Sequence, residues 1–200
     1  MTVMERPFSQ ACVNNREPIL AVLKRHLPGR RKLLEVGSGT GQHAVYFAPE
    51  FPELHWQTSD LEENHAAIRL WLRDCPSANL ADPLTLDVAS PQWPVLAVDA
   101  VFTANTLHIM SWPQPQQCLE GVGRVLQQDG VLIVYGPFNY EGRYTSDSNA
   151  QFDQWLKAQA PWRAIRDFEA VCDCAAKAGL RLLQDYPMPA NNRCLVFVRG

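Results

Sequence analysis

Three glycines at alternate positions, Gly37, Gly39 and Gly41, follow directly on the apolar run Leu33-Leu34-Glu35-Val36. The run has the length and composition of a buried strand. The segment after the glycines, Gln42-His43-Ala44-Val45-Tyr46-Phe47-Ala48, reads as a helix. Alternate glycines let the backbone turn tightly and let a ligand lie against bare main chain. The helix that follows aims unpaired N–H groups at the same point. A chain with this loop is constrained to a strand–turn–helix unit. The loop is expected to bind a nucleotide-like molecule through Glu35, Gly37, Ser38, Gly39 and Gly41.

A dinucleotide loop follows G-x-G-x-x-G, and the third glycine would fall on Gln42. The pattern present is acid-x-G-x-G-x-G. Glu35 would repel a pyrophosphate and suits a ligand that is positive near the loop. S-adenosylmethionine (SAM) carries an ammonium and a sulfonium and no phosphate. A nicotinamide dehydrogenase is therefore opposed by both Gln42 and Glu35.

Further strands are expected at 54–60, 83–88, 97–105 and 130–136, the first three ending in Asp60, Asp87 and Asn105. Helices are expected at about 40–48, 62–73 and 114–127, with Asp129-Gly130 as a stop signal. This alternation argues for a mostly parallel sheet in an α/β fold, with ligands at the carboxyl ends of the strands. Asp60 lies 19 residues after Gly41, where a ribose-binding acid belongs. Its two oxygens can accept from both ribose hydroxyls, or it can cap the helix that begins near Leu61.

The order and spacing of these motifs resemble a class I SAM-dependent methyltransferase from about Leu33 to Arg199. Several peripheral segments, among them Asn15-Arg16-Glu17-Pro18, Asn105-Thr106-Leu107-His108, Ser148-Asn149-Ala150-Gln151-Phe152-Asp153 and Met188-Pro189-Ala190-Asn191-Asn192, resemble the methyltransferase-like twenty-six family, long described as a domain of unknown function. The resemblance implies a Rossmann-like, seven-stranded, mostly parallel sheet of order 3-2-1-4-5-7-6 with helices on both faces. It implies SAM as cofactor and S-adenosylhomocysteine as product. Glu35 would hold the methionine end and Asp60 and Leu61 the ribose, while Asp87 and Val88 would read the adenine. Asp87 can alternatively cap a turn before Ser90-Pro91. Asn105 and His108 would face the methyl acceptor, with His108 either taking a proton or orienting a loop.

Two hundred residues, 46% hydrophobic and 20% charged, make an ordinary globular domain, read as 1–200 in one piece. The net charge is −3 and no basic patch stands out, so long nucleic acid is not favoured as a partner. Residues Met1 to Pro7 do not read as a signal peptide, and no run is apolar enough for a membrane span. The six cysteines form no metal-ligand spacing, so no metal is expected; a cytoplasmic location is. The oligomeric state is open.

Residues 1–16 read as an arm and Pro18 as the first turn of a helix. Residues 137–166 exceed a minimal connection and are expected to form a lid-like insert, with Ser148 capping a helix to about Gln159. A helix from about Asp167 to Lys177 and two strands, Arg181–Met188 and Arg193–Arg199, complete the chain. Asn15, Arg16, Tyr140, Arg143, Tyr144, Arg166, Asn191 and Asn192 lie in segments that can bind the carboxylate or phosphate of a small acceptor, or else form a solvated surface.

Asn105-Thr106-Leu107-His108 replaces the N/D-P-P-Y/F motif, which counts against methylation of adenine or amide nitrogen. No cysteine follows the fourth strand, which counts against covalent attack on cytosine or uracil. The expected reaction is methylation of a small or medium polar molecule at O, N or S. A catalytically silent SAM-binding or interaction protein, and a protein or RNA methyltransferase that needs a partner, are the alternatives.

Overall fold

A computed structural model describes residues 6–95 and 97–200, so the first five residues of the expected arm lie outside the described residues. The chain forms two compact units, Met1–Asp87 and Val88–Gly200. The first contains α1 (Gln10–His26), β1 (Lys32–Val36), α2 (Gln42–Phe47), β2 (His55–Asp60), α3 (His65–Asp74) and β3 (Leu80–Thr85). The second contains β4 (Val98–Ala104), α4 (Pro113–Val125), β5 (Leu126–Gly136), β6 (Phe138–Asn139) and α5 (Asp147–Gln159), followed by β7 (Arg166–Asp167), α6 (Phe168–Lys177), β8 (Leu180–Met188) and β9 (Asn192–Arg199).

Seven strands form one sheet in the order β3-β2-β1-β4-β5-β9-β8. With β8 and β9 as the expected sixth and seventh strands, this is the order expected from the sequence. In the first unit, β1 pairs parallel to β2 from Lys32↔His55 to Val36↔Ser59. In the second, β9 runs antiparallel to both β5 and β8. Val131–Val134 and Leu195–Phe197 are buried at every position, which requires cover on both faces of the sheet and explains their unbroken apolar runs.

The remaining short strands, β6 and β7, pair only with each other, through Phe138↔Arg166 and Asn139↔Asp167. They pin together the two ends of the 137–166 insert. The insert is thus a closed excursion rather than an open loop.

Four expectations are corrected. Residues Gln10–Arg16 are not an arm: α1 starts at Gln10, with Ser9 as N-cap, and Pro18 lies inside the helix. Proline there leaves one helical hydrogen bond unmade, a cost of about 3 kcal/mol in an isolated helix. Packing on α2 overrides it. Ser9 N donates to Gln42 Oε1 (2.5 Å), Asn15 Oδ1 bonds His43 Nε2 (2.7 Å) and the Tyr46 hydroxyl donates to Glu17. The cap of α5 is Ser146 and not Ser148, because it is Ser146 Oγ that lies three residues before, and accepts from, Asn149 N (3.1 Å). The third strand ends at Thr85, which leaves Asp87 in the turn beyond it. The expected stop at Asp129-Gly130 is a left-handed turn within β5 (Asp129 φ 59°), where pairing with β4 skips from Val98↔Leu126 to Ala100↔Val131.

Helix α4 reaches α6 through a glycine. A Cβ on Gly123 would stand 2.4 Å from the carbonyl oxygen of Ala178, the C-cap of α6. Main chain cannot rotate aside as a side chain can. Gly123→Ala is expected to lower unfolding free energy by about 1–3 kcal/mol despite alanine's better helix propensity, as measured by urea denaturation.

Candidate functional site

The glycine loop is built by β1 and β2 and held from below by main chain and two carboxylates. Gly37 N and Ser38 N both donate to Ser59 O (3.1 and 2.9 Å), and Ser38 Oγ accepts from Ser59 N (3.1 Å). Ser59 Oγ donates to Glu35 O (2.6 Å). At the crest, Gly39 N donates to Asp60 Oδ2 (2.7 Å). Gly39 (φ +58°) is left-handed with open space where a Cβ would stand. Gly41 (φ +87°) is left-handed and pressed on α3, with Ile68 Cα 3.2 Å from where its Cβ would be. Left-handed backbone makes a side chain strained at both positions, and at Gly41 the contact with Ile68 adds to that strain.

Asp60 is buried, and its other oxygen accepts from Leu61 N (2.8 Å) and Asn64 Nδ2 (2.7 Å). It is not the helix cap that the sequence also allowed: the N-cap positions after β2 fall on Leu61 and Asn64, and neither helical segment has a side-chain cap bond. Asp60 bonds the first main-chain N–H after β2, holds the crest of the loop, and uses three of the roughly four acceptor directions of a carboxylate. The Leu61 side chain is exposed beside it. Asp87 is exposed and Val88 is buried, and each belongs to a different unit.

Glu35 is 2% exposed and accepts from Trp56 Nε1 (2.9 Å). No cation pairs with it among the described residues. Burial pushes its pKa up to about 7, and the Asp60 charge adds to this, while hydrogen bonds from Trp56 and Ser38 work in the opposite direction. A buried carboxyl beneath a ligand loop, held near neutrality and unpaired, is poised to ionise for an arriving cation.

The sequence gives no warning of what lies above α2. Cys12 Sγ stands 4.0 Å from His43 Nδ1, whose Nε2 meets Asn15 Oδ1 at 2.7 Å. Thiol, imidazole and amide in that order can generate a thiolate nucleophile. Here burial raises the Cys12 pKa and pushes that of His43 down to about 4. Both stay neutral, so the line is a strap between α1 and α2. Asn15, expected to contact an acceptor, is committed to it. The Arg16 guanidinium lies 4.4 Å over the Tyr46 ring.

In the second unit, Asn105 follows β4 in left-handed backbone (φ 56°), with its N–H on Tyr135 O (2.9 Å). His108 is buried, edge-on to Phe152 at 5.5 Å, and Trp155 stacks on Phe152 at 5.7 Å. Burial, followed by the charges of Arg166 and Arg163, pushes the pKa of His108 down to about 4. At neutral pH it is an uncharged imidazole, fit to orient a hydrogen bond and a poor proton acceptor.

The insert is sewn to this loop. Ala164 N donates to His108 O (3.1 Å). Arg166 donates to the carbonyls of Leu107 (3.1 Å), Met110 and Trp162 (3.1 Å). Arg166 was expected to grip an acceptor; these bonds make it a structural tie. Tyr144 donates to Asp153 Oδ2 (2.7 Å), and Arg143 is exposed. Tyr140, Asn191 and Asn192 do come together, at a cleft that also contains Arg193.

A family model described as a protein of unknown function, DUF938, matches residues 6–199. The chain belongs to this family. Among solved structures it is similar to an O-methyltransferase family protein from Burkholderia thailandensis (TM-score 0.83, 15% identity, 95% of this chain and 57% of that one). It is similar to an O-methyltransferase family 2 protein from Planctomyces limnophilus in complex with apigenin (TM-score 0.83, 17% identity, 95% and 58%). It is also similar to human N-acetylserotonin methyltransferase in complex with SAM (TM-score 0.81, 16% identity, 96% and 53%). The likeness establishes the Rossmann-like methyltransferase fold. The chain spans little more than half the length of these proteins. No helix among the described residues is long and apolar enough to cross a membrane.

Glu35 also makes stability depend on pH. Its pKa rises from an ordinary 4.5 to about 7 on folding, so the folded state favours the protonated form. Its contribution is full below about pH 4.5 and is lost as pH rises through about 7, a loss on the order of 3 kcal/mol. Glu35→Gln is expected to be less stable than, or equal to, the wild type near pH 5 and more stable near pH 8. Urea midpoints at the two pH values give the comparison.

Proposed function

We propose that this chain is a SAM-dependent methyltransferase, a single domain over residues 1–200, acting on a small or medium polar acceptor at O, N or S. The observation that carries the reading is Glu35: a buried, unpaired carboxyl under a left-handed glycine loop. A pyrophosphate would keep it protonated and gain nothing from it, whereas an ammonium or sulfonium would draw the proton off. The methyltransferase fold and the likeness to SAM-bound human N-acetylserotonin methyltransferase support the same cofactor. The peripheral segments support placement near the methyltransferase-like twenty-six family.

In this reading Glu35 holds the methionine end. Gly37, Ser38, Gly39 and Gly41 present the loop, Asp60 and Leu61 take the ribose, and Asp87 and Val88 take the adenine. Asn105 and neutral His108 orient the acceptor. Methyl transfer is a direct displacement at an activated carbon, so alignment and exclusion of water can supply much of the rate without a strong base. The insert, closed at β6–β7 and sewn to the His108 loop, serves as a cover for the acceptor side. A cytoplasmic location is our reading of the composition.

One observation favours a partner-dependent version. The insert exposes Trp155 (54%) and Trp162 (56%), more apolar surface than a simple cover needs. Turnover of a metabolite pool by the isolated chain separates a small-molecule enzyme from a silent or partner-dependent one.

Calorimetry with SAM, S-adenosylhomocysteine and NAD tests the cofactor. SAM is expected to bind with proton release, more tightly near pH 8 than near pH 6, and Glu35→Gln is expected to remove that pH dependence. Asp60→Ala should cost about 1.5–3 kcal/mol of SAM binding. Tight NAD binding with no SAM signal would overturn the proposal.

A further inference from the structure

The loop after β6 and the hairpin of β8 and β9 frame a cleft of about 320 Å³ within the second unit. Tyr140 and Thr145 line it from the loop, and Met188, Asn191, Asn192 and Arg193 from the hairpin. The sequence points to Tyr140, Asn191 and Asn192; Arg193 reads there only as a strand residue.

Arg193 is held as a ligand-binding arginine needs to be held. It pairs with Pro187 across the hairpin, so the two-residue period of β8 brings Asp185 to the same face. Arg193 Nε donates to Asp185 Oδ1 (2.7 Å), and the Tyr140 hydroxyl donates to Asp185 Oδ2 (2.7 Å). The guanidinium carbon lies 5.6 Å from the Tyr140 ring centre, and that ring stacks on Phe168 at 4.8 Å. Both side chains of the ion pair are largely covered, at 26% and 19% exposure. No second carboxylate pairs with the guanidinium among the described residues.

The backbone around the cleft is strained. Glu141, Ala190 and Asn191 are left-handed (φ 51°, 55° and 57°), three of the five non-glycine residues so placed among those described. The hairpin turn is fixed from outside by Asn149 Nδ2, which donates to Asn191 O (3.2 Å). Strain that the surroundings must hold in place clusters at ligand sites.

We propose that this cleft is a carboxylate subsite. Arg193, locked by Asp185 and Tyr140, grips a small monocarboxylate whose apolar body lies against Met188. The planar fork matches a carboxylate in two parallel hydrogen bonds. Asp185 already offsets the guanidinium charge, so a singly charged ligand fits the balance better than a dianionic phosphate. The volume, at the small end for ligand sites, suits one ring or a short chain. That this carboxylate belongs to the methyl acceptor rests on the methyltransferase reading; the grip itself does not.

The probes are benzoate, its neutral isostere benzamide, and inorganic phosphate, titrated into full-length protein with methyl-labelled methionine. The Met188 resonance is assigned with Met188→Leu. Benzoate is expected to shift Met188 saturably, while benzamide and phosphate leave it in place. Arg193→Gln should weaken benzoate by roughly tenfold or more, and Arg193→Lys, which keeps the charge and loses the fork, by less. The double variant Asp185→Asn/Arg193→Gln, free of a stranded buried charge, guards against loss by misfolding and should also fail to bind benzoate. Equal shifts with benzoate and benzamide, a larger shift with phosphate, no shift at all, or unchanged benzoate affinity in a folded Arg193 variant would each overturn the subsite. SAM calorimetry on the same samples keeps the two readings apart. A chain that binds benzoate and not SAM retains the subsite and loses the methyltransferase.

Discussion

The bond from Gly39 N to Asp60 Oδ2 is the contact on which the candidate cofactor site depends. A loop with left-handed residues at alternate positions has no helical or sheet partners for its N–H groups, and without an anchor it would sample many conformations at high entropic cost. Asp60 supplies the anchor, together with Ser59, whose carbonyl accepts from Gly37 and Ser38. Both sit at the end of β2, and parallel pairing with β1 from Lys32↔His55 to Val36↔Ser59 brings that end to the loop. The register of one strand pair therefore sets the shape of the loop. A slip of one residue would turn Asp60 away and put Trp56 on the wrong face. Trp56 is fully buried and donates to Glu35, so the same register also positions the carboxyl under the loop.

The second unit uses its polar residues in the same economical way. Asp153 is 2% exposed and accepts from Ile165 N, the Tyr144 hydroxyl and Lys157. Arg166 spends its guanidinium on three carbonyls that belong to the β4–α4 loop and to the insert. Between them, a buried acid and a buried base order a segment that has no large apolar core of its own. Each satisfies main-chain groups that irregular backbone would otherwise leave unpaired, at well over the cost of an ordinary missing hydrogen bond. The insert is hydrogen-bonded where it meets the His108 loop and exposes Trp155 and Trp162.

Much of the fold is legible in the sequence because strand–glycine–helix periodicity is local. The order of strands follows from alternation and from the resemblance, and spacing picks out Glu35 and Asp60 at the ends of β1 and β2. What is not legible has a physical pattern. Pro18 misleads because packing of α1 on α2 outweighs a local breaker. Ser146 and Ser148 compete for one cap, and only the geometry of the turn decides. Arg166, Tyr144 and Asn15 are polar residues in loop-rich segments, where a ligand and a main-chain carbonyl are equally good partners until distances are known. Arg193 is hidden for the opposite reason. It stands at the start of a strand, and its partner Asp185 comes beside it only through the antiparallel register of β8 and β9.

The charge states narrow the chemistry further. His43 and His108 are both buried and both held neutral, with pKa values near 4, so neither supplies a cation at neutral pH. Glu35 differs from both: burial brings its carboxyl to about 7, so it can change charge in the physiological range. A glycine loop with one labile carboxyl beneath it favours a ligand that brings its own positive charge. In the proposed reading the ammonium at the methionine end of SAM would do this, and the carboxyl would release its proton as that cation arrives. Because S-adenosylhomocysteine keeps the same ammonium, Glu35 in this role would couple the binding of cofactor and product alike to the release of a proton, which a permanently ionised or permanently neutral residue at the same position would not do.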